Sequence, residues 1–148
     1  MTLIELRPMT ASDINDVMEV EKSAYPFPWT KGIFADCIRV NYECWVATRD
    51  DIIVAHAVLS VAAGESHILN LAVDKSCQHQ GVGKQLLNHM INIARIKTAD
   101  MILLEARPSN FAAIRLYEAN GFNEIGVRKG YYPANNGKED ALIYALQL

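Results

Sequence analysis

Apolar and polar positions along the chain follow two periods. In "YECWVAT" and "IIVAHAVLSV", β-branched and aromatic residues fill segments of strand length on either side of "RDD", which predicts a hairpin. "SHILNLAVD" continues that meander as a third strand, "MILLEAR" predicts a further one, and "LIELRP" a short first strand ended by Pro8. Elsewhere the spacing lengthens to three and four. Ile14, Val17, Met18 and Val20 form a helical stripe in "DINDVMEVEKSAY", with Ser12 offered as its N-cap. Pro26 and Pro28 of "PFPW" break that helix, because each lacks a backbone donor and restricts the residue before it. Thr30 then caps a second helix running through Ile38. Leu86, Leu87, Met90, Ile91 and Ala94 bury one face of a third helix. "SNFAAIRLYEANGF" predicts a fourth, with Ser109 or Asn110 near its start and Gly121 to terminate it. The remaining "NEIGVRKGYYPANNGKEDALIYALQL" reads as two strands around a polar, turn-rich loop. Strands and helices alternate without a long gap, so the expected class is α/β, a three-layer pattern with a mixed sheet.

Composition narrows the function. A chain of 148 residues that is 51% hydrophobic suits one domain, 1–148, around a continuous core. A net charge of -3 with scattered lysines and arginines argues against direct nucleic-acid binding. No apolar run approaches the roughly 18 residues of a membrane span, and "MTLIELRPMT" lacks the pattern of a secretion signal, so a soluble cytoplasmic protein is expected. Cys37, Cys44 and Cys77 form neither a CxxC pair nor an even disulfide set and read as reduced, buried thiols. His56, His67 and His89 lack ligand spacing, so no metal is expected and they read as ordinary strand or helix residues.

The stretch "CQHQGVGKQLL" changes the picture. A glycine-rich turn leading from a strand into a helix presents backbone N–H groups to an anion, and the helix dipole adds partial positive charge there. Two nucleotide motifs fail on spacing. A Walker loop ending at Gly83-Lys84 would need glycine at Gln78 and a hydroxyl residue at Gln85, and a dinucleotide fingerprint from Gly81 would need a small residue at Leu86. What remains is Gln78-x-x-Gly81-x-Gly83 between "NLAVD" and an amphipathic helix, a pattern that an ordinary strand-to-helix turn also satisfies.

In its context this loop resembles that of the GCN5-related N-acetyltransferase (GNAT) family. The resemblance covers nearly the whole chain. Within the family, "PFPW", "LEARPSNFAAIRLYEANGF", "YYP" and "GKEDALIYAL" are similar to members that acetylate the N-terminal alanine of the eighteenth small-subunit ribosomal protein. The resemblance implies a three-layer α/β/α fold whose mixed, mostly antiparallel sheet is splayed at the acetyl-CoA site. It also implies acetyl-CoA as cosubstrate and the N-terminus of a ribosomal protein or peptide as partner. Leu71, Ala72 and Val73 would line the pantetheine arm and acetyl group. Gln78, His79, Gln80, Gly81, Val82, Gly83 and Lys84 would wrap the pyrophosphate, and Asn110 would contact the cofactor.

Moving an acyl group from a thioester to an amine requires a base, a stabilised oxyanion and a proton for the departing thiolate. Glu105 follows the apolar run "MILL", where a carboxylate needs either a task or a partner such as Arg107. The family resemblance makes it the base. Tyr117, two helical turns after Asn110, is by the same resemblance the acid, although a tyrosine there also suits a core anchor. A backbone N–H of "LAV" serves the oxyanion. Cys77 and His79 invite a covalent route that direct transfer does not require. "AYPFPWT" and "RKGYYPANNGKED" read as loops that wall an acceptor groove or simply pack. Acetylation of lysine, a polyamine or another small amine stays open, as does a non-catalytic acyl-CoA sensor that would need neither Glu105 nor Tyr117.

Overall fold

The structure is a computed structural model and describes residues 3–148. In chain order its elements are β1 (Ile4–Pro8), α1 (Ile14–Ala24), α2 (Lys31–Arg39), β2 (Glu43–Arg49), β3 (Ile52–Ala62), β4 (Glu65–Val73), α3 (Val82–Ile96), β5 (Met101–Ala106), α4 (Phe111–Ala119), β6 (Asn123–Ala134) and β7 (Gly137–Gln147). The seven strands form one sheet in the order β1-β2-β3-β4-β5-β7-β6. The β4–β5 pair is parallel, whereas β1–β2, β2–β3, β5–β7 and β6–β7 are antiparallel. The expected mixed, mostly antiparallel sheet is therefore present. The chain divides into two compact units, one of Met1–Ser60 with Leu69–Asn92 and one of Val61–Ile68 with Ile93–Leu148.

In the first unit β2 turns into β3 across Asp50 and Asp51, whose φ values are 52° and 64°. Two consecutive left-handed residues match the right-handed twist of the flanking strands, and aspartate tolerates that conformation better than most side chains. Val17, Val20, Phe34, Val46 and Val58 form the centre of the unit's core. The start of the first helix differs from expectation. Ala11–Asp13 form a separate 3-10 turn opened by Thr10, whose N–H donates to Asp13 Oδ2 at 2.8 Å, and α1 begins only at Ile14. Ser12 lies inside that turn and is not the cap, because Asp13 can accept from Thr10 while also pairing with Arg7 at 2.8 Å. Thr30 does cap α2, its Oγ1 accepting from the Ile33 N–H at 3.3 Å.

In the second unit β5 pairs with β7 from Met101↔Gln147 to Ala106↔Leu142. Asn110 caps α4, accepting from the Ala113 N–H at 3.3 Å, and Gly121 follows the helix with φ of +93°. The turn-rich loop expected near residue 130 is instead strand: β6 and β7 are separated by only Asn135 and Asn136, with a register shift between Arg128 and Tyr132. Pro133 can sit in β6 because that strand is the sheet edge, where a missing donor costs no ladder bond.

Candidate active site

In the first unit β4 runs on to Val73, beyond the last residue, Ile68, that pairs with β5. Just after it, the Asp74 carboxylate accepts from the Ser76 N–H at 3.0 Å, and the Ser76 hydroxyl holds its pKa below the usual carboxylate range. The chain then passes through Gln78, exposed His79 and Gln80, and Gly81 before entering α3 at Val82. His79 and Gly81 have φ of 63° and +82°, so the loop reverses twice through left-handed backbone. A Cβ at Gly81 would meet nothing within 4 Å, so its conformation, not crowding by neighbours, calls for glycine. Gln78 Nε2 donates to Val73 O at 3.2 Å, and Arg49 donates to Gln80 Oε1 at 2.8 Å, which anchors the loop from below. Val82 is buried while Gly81 and Lys84 are exposed.

The first bond of α3 runs from Gln85 N–H to Gly81 O at 3.1 Å. The N–H groups of Val82, Gly83 and Lys84 precede it and have no place in the helical ladder. Together with the positive end of the helix they suit a diphosphate. Leu71 and Ala72 are buried, and the Leu71 carbonyl accepts a hydrogen bond from the Tyr25 hydroxyl. The sequence placed Tyr25 in "AYPFPWT", a stretch read as walling an acceptor groove or packing, but gave no sign of its bond to Leu71.

The second unit holds the residues expected to move protons. Glu105 lies on β5 with its side chain 14% exposed, Oε1 3.5 Å from His67 Nε2, and Oε2 buried with no hydrogen-bond partner in the protein. His67 pairs in register with Leu103, which puts Glu105 diagonally beside it on one face of the sheet. His67 is a strand residue, as expected, and its side chain also faces this carboxylate. The suggested partner Arg107 instead donates to Pro133 O at 2.7 Å and Glu139 Oε1 at 3.2 Å, and its guanidinium lies 4.4 Å from the centre of the Tyr132 ring. Glu139 also accepts from the Ser109 N–H at 2.9 Å, tying the β5–α4 turn to the terminal hairpin.

Tyr117 is buried, its ring centre 5.8 Å from that of Phe122. Burial, with a smaller contribution from the Tyr132 phenol, pushes its pKa up, so it carries its proton throughout the physiological range. Burial and the Glu105 charge push Tyr132 up to about 12. Tyr132 is thus felt by Tyr117 and itself feels Glu105, all in one unit, which also contains Asn110 as the cap of α4. Leu71–Val73 and Gln78–Lys84 come together in the other. Cys37, Cys44 and Cys77 are buried free thiols. Among the described residues, no cluster of His, Cys, Asp or Glu is arranged to hold a metal ion, and no helix is long and apolar enough to cross a membrane.

The sequence matches the acetyltransferase (GNAT) family over residues 14–122. It is 37% identical over 140 residues to the [ribosomal protein bS18]-alanine N-acetyltransferase of Escherichia coli (strain K12), covering 95% of each chain. It is 37% identical over 144 residues to the [ribosomal protein bS18]-alanine N-acetyltransferase of Haemophilus ducreyi, covering 97% of this chain and 99% of that one. The structure superposes on the crystal structure of the ribosomal-protein-S18-alanine N-acetyltransferase from Escherichia coli with a TM-score of 0.91 and 36% identity, over 98% of this chain and 94% of that one.

Proposed function

The chain belongs to the acetyltransferase (GNAT) family, and from that premise we propose that residues 1–148 act as one catalytic domain that acetylates the N-terminal alanine of ribosomal protein bS18. The acceptor would make the cytoplasm the compartment of the reaction. What carries the reading is Glu105: a carboxylate with one oxygen buried and unpartnered by the protein, electrostatically coupled to Tyr132, in a chain that matches the bS18-alanine enzymes over 95% of its length.

Acetyl-CoA, when bound, supplies the activated acyl carbon. The N–H groups of Val82, Gly83 and Lys84 would hold its diphosphate, the Leu71–Val73 backbone its pantetheine arm, and the side-chain amide of Asn110 would add a contact. Gln78 would act mainly by fixing the loop to Val73. Glu105, directly or through one water, accepts a proton from the peptide ammonium. An α-ammonium titrates near 8 and a lysine near 10.4, so an N-terminus asks roughly two units less of a carboxylate base. A backbone N–H of the Leu71–Val73 strand stabilises the oxygen that gains charge as the amine adds. Tyr117 donates its phenolic proton to the departing sulfur, and the proton that the nitrogen sheds as the amide forms restores the phenol. The aromatic residues of "PFPW", and Tyr131 and Tyr132, are the side chains offered to the acceptor peptide.

Mass spectrometry of reactions containing acetyl-CoA tests the reading, with peptides that begin Ala, Ser or Met and with a lysine-containing peptide whose N-terminus is blocked. One acetyl group on the α-amine of the alanine peptide is expected. Modification of internal lysines on the blocked peptide, at a rate matching the open one, would assign the enzyme to another acceptor class.

A further inference from the structure

The mechanism above leaves one deeply buried charged cluster unused. Glu21 lies on α1 and is 1% exposed, His56 on β3 is 0% exposed, and Asn70 on β4 is 8% exposed. Asn70 Nδ2 donates to both carboxylate oxygens of Glu21 at 3.1 Å, and His56 Nε2 lies 3.2 Å from Oε1. Oε2 also accepts from the backbone N–H of Trp29 at 2.9 Å. A carboxylate withdrawn this far from water is costly unless its oxygens are satisfied, and here two strands and one loop converge on it. The Trp29 ring then packs against Phe34, with ring centres 5.2 Å apart, and Phe34 meets His56 edge-on at 5.2 Å. Trp29 is therefore held inward by both its N–H and its ring. The preceding Pro26, Phe27 and Pro28 are exposed. At the other end of the segment, the Tyr25 hydroxyl is tied to Leu71, the residue after Asn70. Tyr25 is thus fastened directly to the strand proposed to carry the acyl donor, and Trp29 reaches Asn70 of that strand through the Glu21 carboxylate.

From this geometry we infer that Glu21 is a positioning residue for the acceptor: its carboxylate fixes the 26–28 segment in the conformation that receives the peptide N-terminus. The inference rests on the proposed acetyl transfer to a peptide and identifies a residue that touches neither substrate but sets the shape of the acceptor wall. Asn70 adds a consequence. Its Oδ1 is buried without a partner, so rotating the amide would present an acceptor in place of a donor. Glu21→Gln can then keep an acceptor for Trp29 and donate its own amide to the rotated Asn70. Glu21→Ala can do neither.

Hydrogen–deuterium exchange of residues 26–30 and steady-state kinetics are measured for wild type, Glu21→Ala and Glu21→Gln. Exchange at Trp29 is expected to accelerate at least tenfold in Glu21→Ala. The KM for an alanine-initiated peptide is expected to rise about tenfold or more while the KM for acetyl-CoA changes less than threefold. Glu21→Gln is expected to stay within threefold of wild type in both, which a loss of general stability would not reproduce. Unchanged exchange at Trp29, or equal rises in both KM values, overturns the inference. If Glu21→Ala does not fold, Glu21→Gln with a tenfold higher peptide KM overturns it, and near wild-type values support it. If wild type leaves all peptide N-termini unmodified, the proposed acceptor fails, while exchange at Trp29 still decides whether Glu21 fixes the segment.

Discussion

Glu105 and Tyr117 serve opposite ends of the proposed transfer, and their substitution should separate the two. Glu105→Gln is expected to lower kcat about a hundredfold or more at pH 7, with partial recovery as pH rises through the α-amine pKa near 8 and more peptide arrives neutral. Tyr117→Phe leaves amine deprotonation intact but sends the thiolate out unprotonated, so raising the pH should not relieve its defect. The pH profile of turnover for both variants, with folding checked by circular dichroism, distinguishes these outcomes; superimposable profiles would refute the division. Asp13 makes a stability prediction of the same scale. The Arg7 guanidinium, with help from Thr10, holds its pKa at about 2, below the ordinary 3.8. Folding therefore benefits fully above about pH 4, and the benefit fades as pH falls toward 2. Asp13→Asn should cost about 1–2 kcal/mol at neutral pH and much less at pH 2, read from urea midpoints at each.

At the scale of elements, the loop from Val73 to α3 works as a unit: Gln78 and Gln80 hold it from below while the left-handed backbone at His79 and Gly81 turns it into the helix. Valine at position 81 would have room for its Cβ but not the conformation, since φ of +82° is strongly disfavoured for a β-branched residue. Gly81→Val should therefore reorient the N–H groups of Val82–Lys84. Calorimetry is expected to show acetyl-CoA affinity reduced at least tenfold, with the KM for peptide little changed. Wild-type affinity in a folded Gly81→Val would remove the loop from the cofactor site. The terminal hairpin is a second such unit. Glu139 ties it to the β5–α4 turn through Ser109 and Arg107, and Arg107 packs over Tyr132, so an edge strand carries an ordered aromatic pair.

For the whole molecule, a ligand that binds only the folded chain raises its stability by mass action. Acetyl-CoA at a hundredfold excess over its Kd should add roughly 2.7 kcal/mol and a corresponding rise in Tm. ATP at the same concentration should do less, since the spacing of Gly81 and Gly83 fits neither nucleotide motif. An equal shift with both would reduce the loop to a general phosphate site. Much of this architecture was legible beforehand. The β2–β3 hairpin, the Thr30 and Asn110 caps, the glycine turn and the helical stripes are set by short-range backbone preferences and by periodicities within single elements. Glu105 stood out because a carboxylate after "MILL" is conspicuous within one strand. Glu21 did not, since a glutamate between Val20 and Lys22 looks like the wet side of a helix, and its partner Asn70 lies 49 residues away. His67 read as an ordinary strand residue, and only parallel pairing of β4 with β5 set it beside Glu105. "YYPA" looked like part of a loop because proline breaks isolated segments, but pairing with β7 extended it as an edge strand that turns only at Asn135 and Asn136. Local sequence determines which segments bend and which run straight. Whether a charge is buried, and whom it faces, is decided only when distant segments pack, because the cost of desolvating a carboxylate depends on the partners that packing brings.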